Sequence, residues 1–305
     1  MKKFLALAAM LVVGSVQAEE LKFGDLNYFL KQGQFNAGVD AIVHNETVRL
    51  DNGTKTDYDI DGYIFQTHFG YAVLNNLNVT FGLDYILEGE TEPAGGASSN
   101  VQGLQNPWIG GNFRIVDQNT AGVNVDVAAK ATFKVIDREV NGGSTDGNMF
   151  SPLFSRLGDP RNTLDLAAKI GKKWNEANEF QIHAGVLYHM DGEFDQKGPS
   201  AESGLEVDSS IDFKLGANYQ YRPVHEFMMN IGLNAIRFSE YEIEGDKVSD
   251  HLDFQIVFDA KYLVTESTIA KFIFTHQNNS EFDIEGADID QRQGQQYGLG
   301  VDFLF

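Results

Sequence analysis

From Val123 to Val135 the chain alternates without interruption. Val123, Val125, Val127, Ala129, Ala131, Phe133 and Val135 lie on one side of an extended backbone, with Asn124, Asp126, Lys130, Thr132 and Lys134 on the other. A helical period cannot produce so long a run of period two. The same rule returns at Phe35–His44, Tyr63–Tyr71, Leu77–Glu88, Trp108–Val116, Leu164–Trp174, Phe180–Asp191, Val207–Arg222, Phe227–Asn234, Leu252–Tyr262, Ile269–Gln277 and Tyr297–Phe305. The final stretch, YGLGVDFLF, puts Tyr297, Leu299, Val301, Phe303 and Phe305 on one face at the very end of the chain. In a water-soluble domain a strand at the terminus with five large apolar residues would leave little to cover that face. In a closed barrel lipid covers it, and the first strand satisfies its backbone edge. The alternation therefore predicts an all-β fold, an antiparallel up-and-down transmembrane β-barrel of 12 strands over residues 34–305.

Connection lengths agree with this reading. Those near 74–76, 117–120, 175–178, 223–225 and 265–268 are short, whereas 44–58, 89–107, 137–162, 192–205, 242–250 and 278–294 are mostly much longer. Short turns on one rim and long loops on the other is the outer-membrane pattern, and it puts both termini in the periplasm. Loop 137–162 is the longest, and both an inward constriction and a mobile surface loop fit its Gly142-Gly143-Ser144 tract.

The start of the chain supports export. Lys2 and Lys3 precede an apolar run from Phe4 to Val13 and a small-residue site ending at Ala18, which reads as a signal peptide over residues 1–18. Residues 19–33 show no clean period and read as a periplasmic lead-in or short lumen insert. With no cysteine, the chain has neither a disulfide framework nor a thiolate metal site. A net charge of −21 argues against nucleic acid as a partner, because phosphates repel it. The expected location is the bacterial outer membrane, with its lipid and lipopolysaccharide as surroundings.

The strand register sorts the charges. Arg114, Lys130, Lys134, Lys169 and Lys173 fall on the inner face of three adjacent strands, forming an expected basic wall. Asp40, Asp84, Glu88, Asp253, Asp259 and Asp302 come from strands that continue round the seam, forming an expected acidic wall. Two walls of opposite sign would set a field across a narrow pore and select polar or charged solutes. The same residues could instead pair and fill the interior. No GxSxG or HExxH motif occurs, the inward histidines face no suitable serine, and no enzymatic role is expected. His189 and Asp191 share a face by parity and are the only two of the His183, His189 and Asp191 set close enough to act together; a solvated lumen pair is the reading, with no metal or cofactor.

The segments FGYAVLNNLNVTFGLDY, NPWIGGNFRI, NTLDLAAKIGKKWNEANEFQIHAGVLYH and YGLGVDFLF together resemble the Gram-negative outer-membrane proteins grouped as phenol-degradation-type transporters. The likeness covers most of the barrel, and its motifs are shared by many β-barrels. It implies a channel-like transport role and transfers no functional residue. Phe305 resembles the terminal aromatic signal read by the barrel-assembly machinery. The resulting expectation is a passive outer-membrane channel for small hydrophilic or amphipathic solutes. The alternative is a closed structural barrel whose acidic loops serve surface interaction or envelope integrity.

Overall fold

The computed structural model describes residues 29–305, apart from 52, 94–98, 136–138, 142–160, 198–204, 244 and 285–286. The signal peptide, most of the lead-in and most of loop 137–162 lie outside the described residues. Twelve long strands form the wall: β1 Phe35–Asp51, β2 Lys55–Leu74, β3 Leu77–Pro93, β4 Trp108–Val116, β5 Asn124–Thr132, β6 Arg161–Asn175, β7 Asn178–Lys197, β8 Ser210–Val224, β9 Phe227–Phe238, β10 His251–Thr265, β11 Thr268–Asn279 and β12 Ala287–Leu304. Each pairs antiparallel with its sequence neighbours, and β12 pairs with β1 from Asn36 opposite Leu304 up to Asp51 opposite Asp288. Closure removes both sheet edges, so every wall strand can satisfy its backbone without water. The Phe305 N–H donates to the Phe35 carbonyl at 2.9 Å, and the Phe35 N–H donates to the Phe305 carbonyl at 3.1 Å.

The outer surface is apolar where a soluble protein would be polar. Leu299 is 68% exposed and Leu215 64%, with Phe81, Ile170, Ile182, Phe213, Leu233 and Phe254 also exposed. Burial of that surface needs lipid. Aromatic residues border the belt: Tyr63 and Tyr297 flank Val43 in register on one side, and Phe35 packs at a tilt against Tyr71 on the other.

Several strands exceed the roughly 9–11 residues that cross a bilayer; β2 and β7 have 20 residues each. Segments expected to be loops are therefore partly strand. Ser99–Leu104, Leu205–Val207, Tyr241–Ile243, Asp246–Val248 and Phe282–Ile284 continue the wall beyond the belt on the long-loop side. The alternation persists there, but its polarity reverses. Above Val43 the outward residues are Asn45, Thr47 and Arg49, facing Asp61, Asp59 and Asp57 of β2, while Val48, Leu50, Tyr58 and Ile60 turn inward and are buried. A reading that expects apolar residues outside stops at this sign change, which is why 44–58 reads as a loop in sequence.

Candidate functional site: the lumen

On the long-loop side the inward apolar residues form a collar of Val48, Leu50, Tyr58, Ile60, Ile64, Ile86, Val207, Ile243, Val248, Phe282 and Ile289. His251 lies flat between Phe238 and Phe282, with ring centroids 4.6 and 4.2 Å away. Burial pushes its pKa down to about 4, with only a partial opposing effect from the Ser249 carbonyl. A cavity of about 570 Å³ opens within the collar, where Ile64, Ile86, Val207 and Phe282 line it, and reaches down to Arg161, Asp84, Trp108, Lys130 and Lys214.

The sector around the seam is filled by a charge network. Lys271, Gly300 and Asp40 occupy one row across β11, β12 and β1, and Asp302, Gly38 and His68 occupy the next across β12, β1 and β2. Side chains on either side of each glycine meet over the gap its missing Cβ leaves. Lys271 Nζ stands 2.7 Å from Asp40 and 2.7 Å from Asp302, and His68 Nε2 stands 3.1 Å from Asp302. Higher in the same sector Arg292 pairs with Glu46, which is also 3.0 Å from His44. Gln277 Nε2 donates to Asp253 at 2.7 Å, and Asn230 Nδ2 donates to Asp259 at 2.9 Å. In a medium of low dielectric a buried polar group needs such partners to offset its lost hydration.

The opposite sector is more open. A second cavity of about 440 Å³ shares Trp108, Lys130, Asp165 and Lys214 with the first, and extends to Asn112, Lys169, His183 and Asn234. Trp108 turns into the lumen over Gly82, where a Cβ would collide with its indole. The Lys130 ammonium sits 4.4 Å above that ring. Lys169 Nζ is 3.4 Å from Asn112 Oδ1, and Lys214 pairs with Asp165.

At the short-turn rim the chain before β1 crosses the opening. The Phe29 ring lies 4.9 Å from the Arg114 guanidinium of β4. Leu30 is buried with Ala72, Met228, Leu263, Ile269 and Leu304, contributed by β2, β9, β10, β11 and β12.

The expected walls are thus redistributed. Among the basic residues, Arg114 makes a two-pronged contact with Asp126, at 2.8 and 3.2 Å. Lys134 lies just beyond β5 and donates to the Glu193 carbonyl at 2.6 Å. The Lys173 backbone N–H donates to the Gln118 side chain near the short-turn rim. Only Lys130 and Lys169 of that set line the second cavity. Among the acids, Asp40, Asp84, Asp253, Asp259 and Asp302 face inward, Asp84 accepting from Gln66 at 3.3 Å. Glu88 does not. The β2–β3 register slips between Ile64 opposite Ile86 and Tyr63 opposite Glu88, so Glu88 is exposed beside the outward Tyr63 while Ile86 is fully buried. One inserted residue reverses every side chain beyond it.

A similar slip in β7 separates His189 from Asp191. Asp191 is exposed and accepts from the Ser209 N–H, whereas His189 Nε2 lies 3.0 Å from Asp212 Oδ2. Among the described residues no group of three or more His, Asp or Glu is placed to hold a metal ion. Sequence reasoning missed Trp108, Arg161 and Arg292 as lumen groups. All three follow from parity, Trp108 with Gly110, Asn112 and Arg114, Arg161 with Thr163 and Asp165, and Arg292 with Gly294 and Gln296; the last two fall in segments that read as loops in sequence.

No family model matches the chain, and no curated protein matches its sequence. Among solved structures, an outer-membrane channel from Pseudomonas putida F1 is similar over 92% of this chain and 98% of its own, with a TM-score of 0.63 and 15% identity. The likeness lies in the fold. Looser matches include the translocator domain of the autotransporter NalP from Neisseria meningitidis, over 99% and 95% of the two chains at TM-score 0.46 and 9% identity. The KdgM porin matches over 87% and 98% at TM-score 0.43 and 7% identity. The closed antiparallel ring of twelve strands and its apolar belt define a transmembrane β-barrel of the outer-membrane type.

Proposed function

We propose that this chain is a passive channel of the bacterial outer membrane for small hydrophilic or amphipathic solutes. The observation that carries this reading is the pair of stacked cavities, about 570 and 440 Å³, that share a wall of Trp108, Lys130, Asp165 and Lys214. A solute entering from the long-loop side meets an apolar collar first and charged walls next, an order that suits molecules with one greasy and one polar end. The fold shared with the Pseudomonas channel supports the reading, as does the resemblance to phenol-degradation-type transporters. In this orientation the short-turn rim and both termini face the periplasm, the belt contacts lipid and lipopolysaccharide, and Phe305 is the residue read by the barrel-assembly machinery. Planar-bilayer recording of refolded protein tests it. Discrete current steps are expected, and folded barrels that give no current above the lipid baseline would sink the channel.

A closed structural barrel is the second reading. It is favoured by Phe29 and Leu30 lying across the short-turn mouth, and by the paired charges that fill the seam sector. Its acidic exterior, with Asp57, Asp59 and Asp61 on β2, would then serve surface interaction or envelope integrity.

A further inference from the structure

We propose that the second cavity holds a binding site for small anions, centred on a bed of small residues ringed by Lys130, Lys169 and Lys214. The inference deepens the channel reading by naming a solute charge, yet the site itself stands on the geometry of the wall.

The register builds the bed. Ala128 of β5 is opposite Ala167 of β6, and Ala167 is opposite Gly185 of β7, so one row of the lumen wall carries almost no side chain. Lys214 of β8 is the next member of that row, opposite Gly185. The row above contains Lys130 opposite Asp165, and the row below contains Lys169 opposite His183. Three ammonium groups from three different strands therefore border one patch of bare wall.

Cations outnumber carboxylates there by one, since Lys130, Lys169, Lys214 and Arg114 stand against Asp84, Asp126 and Asp165. Asp165 is the only carboxylate lining this cavity, and it is engaged by Lys214. The nearby Asp126 is shared between the Arg114 fork and Lys169, its partner in register, and Asp84 is the acid nearest Lys130. Around the seam, by contrast, Lys271 is matched by two carboxylates. A chain with a net charge of −21 has thus placed a local positive excess in a recess of about 440 Å³ within its lumen. Low-dielectric walls concentrate such a field, and an anion in the recess relieves the mutual repulsion of the lysines. Asn112, Asn218 and Asn234 add amide groups to the same lining. A carboxylate, a halide or a comparable small anion fits this chemistry, and a cation does not.

Trp108 provides a reporter, since it lines the cavity and touches Lys130. The only other tryptophan, Trp174, lies on the outer belt against Phe180 and is removed as Trp174→Phe. In that background, fluorescence quenching by iodide, caesium and neutral acrylamide is compared at fixed ionic strength. A local potential of about one kT raises the anion about threefold and lowers the cation about threefold, so with each quencher normalised to free indole iodide is expected to exceed caesium by about sevenfold. Lys130→Gln with Lys169→Gln is expected to bring the two together, and Ala167→Asp, which adds a carboxylate to the bed, is the second variant should the first misfold. Iodide no better than caesium, or a preference that survives both variants, overturns the site. Absence of acrylamide quenching overturns it too, because the recess would then be closed. Current without iodide preference defeats the site and spares the channel, whereas iodide preference without current does the reverse.

Discussion

Lys271 and Asp40 meet directly over Gly300, 2.7 Å apart, with one strand of the barrel wall lying between them. They are 231 residues apart in sequence, and both are buried. Lys271→Met would leave Asp40 and Asp302 in the lumen without their shared cation. Removing one partner of a buried pair costs about 3 to 5 kcal/mol. Denaturant unfolding of refolded barrels is expected to show a loss of that size, and a midpoint equal to wild type would refute the network's structural role.

His251 gives the collar a pH dependence. Folded, it stays neutral down to about pH 4, while in the unfolded chain it takes up a proton below about 6.5. The unfolded state therefore binds more protons between those values, and stability falls as pH drops through that window. The full effect is on the order of 3 kcal/mol. His251→Phe keeps the aromatic stack and is expected to flatten thermal stability between pH 6.5 and 4.

Gly82 leaves room for the Trp108 indole. Gly82→Leu would drive the ring further into the lumen at a cost of about 1 to 3 kcal/mol from overpacking. Single-channel conductance is expected to fall while the barrel still folds. An unchanged conductance would mean that Trp108 does not border the path.

Leu30 anchors the chain across the short-turn mouth. Leu30→Ala is expected to weaken that anchoring by about 2 to 5 kcal/mol, and together with Phe29→Ala to release the Arg114 contact as well. Larger or more frequent current steps are the expected outcome. A double variant indistinguishable from wild type would indicate that this segment does not limit passage.

The alternation of β5 or β12 is legible in sequence because lipid rewards one invariant pattern, apolar outward, at every turn of the ring. The extension of β1 and β2 is not legible by that rule, since from Asn45 and Asp61 onward water is outside and the apolar residues turn inward. Glu88 and Asp191 are misplaced by parity alone because a single bulged residue leaves no mark in composition. The facing of Lys271 was readable; its partners were not. Which inward groups meet depends on glycine gaps and on the offset between neighbouring strands, and those emerge only once β12 has found β1.

The reversal of polarity above Val43 also fixes how high the protein floats. The residues facing outward change from Tyr63 to Asp61 in a single step along β2, so the wall carries a painted waterline. A bilayer whose hydrocarbon outgrew the belt of about 25 Å would have to submerge a row of aspartates. Membrane thickness is therefore a variable this barrel resists, and reconstitution in longer-chain lipids should thin the bilayer around it before the barrel shifts.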